Sequence, residues 1–194
     1  MAGHLLFSKK LTVIPCGVDI DTFSTVKKQI AHKEMKLPDD KINLLFSAKF
    51  DYYEKNYPLA EKVLKKLGDR FNLVELKEYS RTQVNLLLNG CDIALMTSIS
   101  EGSPQFIKEA MACNCPIVST DVGDVLEVIG RTDGCYISSF DPDDIAEKIQ
   151  FAVEYSQSKG RTNGREHIIK LGLDSETIAD RIIEVYKKAL KITD

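Results

Sequence analysis

Short apolar runs alternate along the chain with longer amphipathic stretches. Six of these runs predict strands, at residues 11–14, 42–47, 71–76, 93–96, 117–120 and 135–138. They are too short for helices, several are β-branched, and breaker residues bound them. Their apolar character is nearly continuous, which suits parallel strands covered on both faces. The stretches between them predict helices. Pro58 opens one that Gly68 closes. Ser80-x-x-Gln83 is a capping box before residues 84–88. Ser103 can cap a helix with Pro104 first, running to about Cys113. Asp141 can cap one with Pro142 first, running to about Ser156. Asp174 or Ser175 opens a last helix to about Lys191, with Ile178, Ile182, Val185 and Leu190 at helical spacing.

The order β, loop, βαβαβαβαβ, then helices predicts α/β architecture. It is a single Rossmann-like, doubly wound parallel sheet of about six strands flanked by helices. No linker divides it. Residues 16–41 read as a charged loop or short helical excursion. Residues 159–172 hold three Gly and read as a mobile connection. Residues 1–10 read as a tail or cloning remnant.

A length of 194 residues suits one well-packed domain. With 43% hydrophobic and 28% charged residues the chain is not a disordered one. Lys+Arg number 26 against 29 Asp+Glu, a net charge of -3, so no global field draws nucleic acid or anionic membrane. No apolar run approaches the ~18 residues that span a bilayer. The first residues lack the basic region of a secretory signal. Five cysteines, Cys16, Cys91, Cys113, Cys115 and Cys135, predict free and mostly buried thiols in a reducing cytoplasm. Cys113-x-Cys115 is too close for a zinc knuckle.

The chemistry concentrates in residues 97–112. This segment leaves the carboxyl end of the 93–96 strand and opens a helix, which is where doubly wound sheets bind ligands. A helix N-terminus there favours phosphate, and Gly102 lets backbone approach a ligand. Glu101 and Glu109 frame the segment, and a carboxylate facing a pocket accepts sugar hydroxyls. On spacing alone the plainer reading stands first: a loop charge near the helix dipole and a solvated helix charge. Lys49 and Lys55 emerge at the same sheet edge, where together they could neutralise a pyrophosphate; singly, each reads as a surface charge. Asp19-x-Asp21 imitates a metal motif, but no metal is expected. Asp124 reads as a helix cap. His4, His32 and His167 fall outside the motif blocks. Lys159, Arg161, Arg165 and Lys170 read as a solvated basic face.

Several blocks in one order resemble the C-terminal, donor-binding domain of family-four retaining glycosyltransferases of GT-B architecture. Val13-Ile-Pro-Cys-Gly-Val-Asp19 with Phe23 resembles V-I-P-N-G-V-D-x-x-x-F. Lys49 and Lys55-Asn56 match a strand-end basic residue and a K-G/N pair. Residues 91–98 resemble A-D-v-x-v-x-P-S, Glu101 to Glu109 forms E-x7-E, and residues 109–124 resemble E-A-M-A-x-G-x-P-V-v-a-T-d-v-G-G. The resemblance covers residues 11–190. It implies that Glu109 binds the ribose hydroxyls of a nucleotide-sugar and that Glu101 stands near the transferred sugar. Lys49 and Lys55 become the diphosphate clamp. Gly102, Ser103, Pro104 and the amides of Gln105 and Phe106 lie against phosphate or sugar, Leu76 and Tyr79 near the base, and Gly17 at the cleft. Ser103-Pro104 replaces the usual F-G, Lys49 a common Arg, Asn114 a usual Gly and Cys16 a usual Asn, which leaves donor choice open.

The resemblance further implies a UDP- or GDP-sugar substrate, no required cofactor, and a cytoplasmic site with room for contact at the inner membrane face. A glycan or lipid-linked acceptor would be held by an N-terminal domain not among these blocks, so the chain alone would bind nucleotide but not complete transfer. Polysaccharide or glycolipid assembly is typical of the family. Two other classes are weighed against it. A sugar-nucleotide epimerase of GT-B type would not require E-x7-E followed by EAMA. A flavodoxin-like or receiver-type module needs a Ser/Thr phosphate loop or an acidic pocket at strand ends, and Asp92 begins its strand instead of ending it.

Overall fold

The computed structural model describes residues 11–190. Five strands form one fully parallel sheet in the order β2-β1-β3-β4-β5. They are β1 (Ile42–Phe46), β2 (Phe71–Glu75), β3 (Ile93–Met96), β4 (Ile117–Thr120) and β5 (Cys135–Ser138). The helices are α1 (Lys28–Glu34), α2 (Tyr57–Leu67), α3 (Arg81–Gly90), α4 (Gln105–Ala112), α5 (Val125–Ile129), α6 (Pro142–Lys159), α7 (Gly164–Lys170) and α8 (Ser175–Leu190).

The continuous apolar runs have the expected cause, since both sheet faces are covered. Every residue of β1, β3 and β4 is buried. Because side chains alternate across a strand, Leu45, Ala94, Met96 and Ile117 enter one core with residues of α3, α4 and α5. Leu44, Phe46, Ile93, Leu95 and Val118 enter the other, with Leu59, Ala60 and Val63 of α2 and Ile145, Ile149 and Ala152 of α6. From β1 the chain passes first to β2 on one side, then to β3 on the other. The carboxyl ends of β1 and β3 therefore flank a topological switch point, where the connecting loops part and leave a crevice.

Several helix boundaries follow their caps. Ser80 and Gln83 form the reciprocal capping box of α3. Pro58 sits in the first turn of α2, and Gly68 ends it with φ +79. Asp141 caps α6 through the Asp143 amide, and α6 runs on to Lys159. Asp174 accepts from the Thr177 amide at 2.8 Å and so caps α8. The expected end of α8 at Lys191 and the tail at residues 1–10 lie outside the described residues.

Three expectations are corrected. Residues 11–14 are not a strand, so the sheet has five strands and not six. Leu11 and Val13 are 71% and 80% exposed, with no sheet neighbour to cover them. Among the described residues this segment bridges at Val18, which pairs with Asp174: Val18 donates to Leu173 O and Ser175 donates to Val18 O, both at 2.9 Å. Residues 159–172 are a packed element and not a loose connection. They contain α7, whose Ile168 is fully buried. Two members of the presumed basic face point inward: Arg161 donates to Leu88 O and Asn89 O, and Arg165 to Ile20 O, Phe23 O and Ala112 O. On α8, Ile178 is buried whereas Ile182, Val185 and Leu190 are exposed. The cysteines follow expectation: all five are free, Cys91, Cys113 and Cys115 are buried, and Cys16 is exposed. Among the described residues, no helix is long and apolar enough to cross a membrane.

Candidate functional site

The crevice at the switch point is built from three loops. The first follows β1. Its short 3-10 turn, Tyr53–Lys55, ends at Asn56 in the left-handed region, φ +56. Thr97, just past β3, holds that turn: its hydroxyl donates to the carbonyls of Lys55 at 2.9 Å and Asn56 at 3.1 Å. The Ile99 amide donates to Glu54 O at 2.9 Å. These bonds fasten the β1 loop to the β3 loop. They bring Lys55 Nζ to 2.6 Å from Glu101 Oε1, with both side chains mostly covered. A charge-assisted bond in a partly desolvated place is stronger than one in water.

Lys49 takes a different partner. It donates to Glu78 at 3.1 Å on an open rim beyond β2. The two lysines thus stand on opposite walls, each held by its own carboxylate. On the Lys49 side, the Leu76 amide donates to Ala48 O at 3.3 Å, and Tyr79 is partly exposed.

The third loop, residues 97–104, opens α4. Pro104, not Ser103, occupies the cap position, and no side chain caps the helix. Ser103 fails as a cap because its hydroxyl is engaged elsewhere: it donates to Asp124 Oδ2 and accepts from Lys108 Nζ at 2.6 Å. Asp124 in turn occupies the N-cap position of α5, as its sequence reading has it, but its side chain makes no capping bond there. The first-turn amides of α4 therefore keep their positive partial charge free of a side-chain acceptor. Gly102 is exposed and a Cβ there would meet nothing within 4 Å. Gln105 is exposed and donates to Gly17 O at 3.0 Å. Phe106 is buried in the core with Val18 and Phe23, so only its backbone can face a ligand. Gly17 does need close approach, but to its own chain: a Cβ there would lie 2.7 Å from Ser175 Cα.

Glu109, one turn along α4, is 12% exposed, with Arg81 of α3 at 3.6 Å. Burial pushes its carboxyl up to about 7, while the Arg81 guanidinium pulls the other way. Arg81 also lies over the Phe23 ring, 4.8 Å from its centroid. Such a carboxylate is desolvated yet reachable, and gains if hydroxyl donors replace lost water.

The structure thus brings Lys55, Glu101, Gly102 and the α4 N-terminus together, with Glu109 one turn away. Lys49, Leu76 and Tyr79 form a separate wall. Sequence reading missed Thr97, Arg81 and Lys108. For Lys108 a signal existed: it falls four residues after Pro104 and three before Met111, on the buried stripe of α4. Asp19 is spent on a turn, accepting from the Asp21 and Thr22 amides and from the Thr22 hydroxyl. A second concavity, about 780 Å³ and lined by Lys28, His32, Lys33, Lys36 and Lys41 among others, lies at the opposite, amino-terminal end of the strands.

The family model described as Glycosyl transferases group 1 matches residues 27–154. A curated relative, the N,N'-diacetylbacillosaminyl-diphospho-undecaprenol alpha-1,3-N-acetylgalactosaminyltransferase of Campylobacter jejuni, is 31% identical over 115 residues, covering 58% of this chain and 30% of the relative. Among solved structures, a glycosyltransferase from Rickettsia africae superposes with a TM-score of 0.79 at 16% identity, covering 95% of this chain and 59% of the other. Anabaena HepE in complex with UDP superposes with a TM-score of 0.75 at 18% identity, covering 91% of this chain and 57% of the other. The chain thus spans less than two thirds of each of these proteins.

Proposed function

The chain belongs to the group 1 glycosyl transferases, and on that premise we propose that it is the donor-binding domain of a retaining hexosyltransferase that uses a UDP-sugar. One arrangement carries the reading. Glu101 and Glu109 stand on either side of the uncapped α4 N-terminus, with Lys55 at 2.6 Å from Glu101. Glu109 accepts the ribose hydroxyls. The α4 amides and Lys55 take the diphosphate and stabilise the charge that builds on it as the sugar leaves. Lys49 contributes from the far wall on exchanging Glu78 for phosphate. Glu101 lies at the sugar end, near the anomeric carbon. Leu76 and Tyr79 lie towards the base, with Gly102, Ser103, Pro104 and Gln105 against the phosphate and sugar. The cations supply the neutralising charge, so the reading calls for no metal ion.

In a retaining transfer the bond from the anomeric carbon to the diphosphate oxygen breaks. The acceptor hydroxyl bonds to the same face, and its proton leaves on the diphosphate. That step needs the acceptor held over the crevice and water excluded. The relatives are longer than this chain, and their additional part would hold the acceptor. UDP is preferred over GDP because HepE was solved with UDP. The curated relative's name points to a lipid-linked acceptor, and such an acceptor suits work at the cytoplasmic face of a membrane.

A thermal-shift panel with UDP, GDP, ADP and their sugars tests the reading. At about 100 times its dissociation constant a ligand adds about 2.7 kcal/mol, a rise of roughly 5–10 °C in a chain of this size. UDP and UDP-sugars are expected to raise Tm, and Glu109→Ala to abolish the rise. No shift with any uridine nucleotide overturns the proposal.

A further inference from the structure

Lys108 lies one residue before Glu109 and is 0% exposed. The donor-site reading leaves it without a role. Lysine is almost never fully buried unless its ammonium is paired, and here two segments converge on it. Its Nζ donates to Cys16 O at 2.7 Å and to Ser103 Oγ at 2.6 Å. Ser103 passes its own hydrogen to Asp124 Oδ2. The Asp124 amide returns to Gly102 O at 3.2 Å, and Asp124 Oδ1 is buried with no hydrogen-bond partner among the described residues. Next to Asp124, Gly123 sits at φ +59, where a Cβ would collide with Gly102 O. The turn that carries Glu101 is thus fastened from below by α4, from the side by the β4–α5 loop, and through Cys16 by the incoming chain.

This network is poorly suited to stability alone. Desolvation of the lysine lowers its pKa, and the Asp124 charge, followed by Cys16, opposes that. Replacing such a buried ionic cluster with packed apolar groups is often neutral or stabilising. An apolar residue at 108 would match the rest of the buried stripe, with Ile107, Ala110 and Met111 beside it. The distinctive property of Lys108 is what its ammonium holds: the Ser103 hydroxyl and the Cys16 carbonyl, on the two chain segments bordering the Glu101 turn.

We propose that Lys108 is a positioning residue for the sugar end of the donor site: through Ser103 and the Cys16 carbonyl it fixes the 101–103 turn, and with it the Glu101 carboxylate against Lys55. It acts on the hexosyl part of a nucleotide-sugar and not on the nucleoside, because Glu109 and Arg81 are outside its hydrogen-bond network. The inference rests on the donor-site reading above.

Calorimetric titration of the 194-residue chain tests it, using UDP, UDP-glucose and UDP-N-acetylgalactosamine, with the UDP-sugar that binds wild type best as the probe. Lys108→Met keeps the length and removes the charge. It is expected to bind UDP within about twofold of wild type and the UDP-sugar about tenfold more weakly, a difference of about 1.4 kcal/mol. Asp124→Asn, which removes only the counter-charge, is expected to shift the same ratio in the same direction by less. It carries the test if Lys108→Met does not fold. A lysine that merely stabilises the fold would weaken both ligands together or neither. An unchanged ratio of UDP-sugar to UDP affinity in the folded variants, with wild type binding both, overturns this inference alone. A wild-type chain that binds no uridine nucleotide overturns the donor-site reading and this inference with it.

Discussion

Glu109 joins two facts that pull apart, burial and ionisation. Its ordinary pKa of 4.5 rises to about 7 in the folded chain. Between those values the folded chain holds one more proton than the unfolded chain, so its stability falls as pH rises. The stabilising contribution is complete below pH 4.5 and gone once pH has passed about 7. That gap corresponds to about 3 kcal/mol. Urea unfolding of wild type and Glu109→Gln is therefore expected to show the wild type losing about 3 kcal/mol relative to the variant between pH 4.5 and 8. A pH-independent difference would mean that the carboxyl is better solvated than its 12% exposure indicates. At this scale the charged residues at the site were partly legible. Glu101, Glu109 and Lys55 stand out through the motif resemblance, since on spacing alone each reads as a solvated charge. Arg81 and Thr97 do not, because what matters is the partner each meets across the sheet edge, and no local pattern encodes that. Lys108 was hidden by its own charge: on an amphipathic helix a lysine reads as solvated unless the stripe it falls on is counted.

The elements followed from the sequence where local chemistry and burial agreed. The capping box of α3, the Pro–Gly limits of α2 and the Asp141 cap of α6 all form as spaced. Residues 11–14 are the instructive failure. Their apolar pattern fits a strand, but a strand also needs a neighbour, and the sheet ends elsewhere. Residues 159–172 failed the other way, since three glycines suggested looseness. Gly164 is there for packing, because a Cβ would press on the backbone of Met111 at 2.9 Å. Gly17 follows the same logic and predicts an outcome. Its Cβ would lie 2.7 Å from Ser175 Cα, so Gly17→Ala must push the Cys16–Val18 segment off the start of α8. Overpacking of this kind costs about 1–3 kcal/mol. The loss is expected in urea unfolding, with faster amide exchange at Val18 and Ser175, which now exchange hydrogen bonds with the opposing segment. Unchanged exchange at both amides would show that the segment yields without strain.

For the whole molecule, topology decides where chemistry can happen. The sheet order β2-β1-β3-β4-β5 places the switch point between the loops after β1 and β3, and those loops carry Lys49, Lys55 and Glu101. The family follows from the match over residues 27–154, and the similar structures share the fold at 16–18% identity. The alternation of short apolar and amphipathic runs already indicated a parallel doubly wound sheet. The same pattern could not say which end of the sheet is used, because the basic groove beneath the strands is concave and charged as well. The most direct measurement of the central claim is an amide NMR titration with UDP. The account predicts shifts concentrated at residues 47–56, 75–81 and 97–109, with Lys28, His32 and Asp92 unmoved. Shifts confined instead to the groove lined by Lys28, His32, Lys33, Lys36 and Lys41 would contradict it.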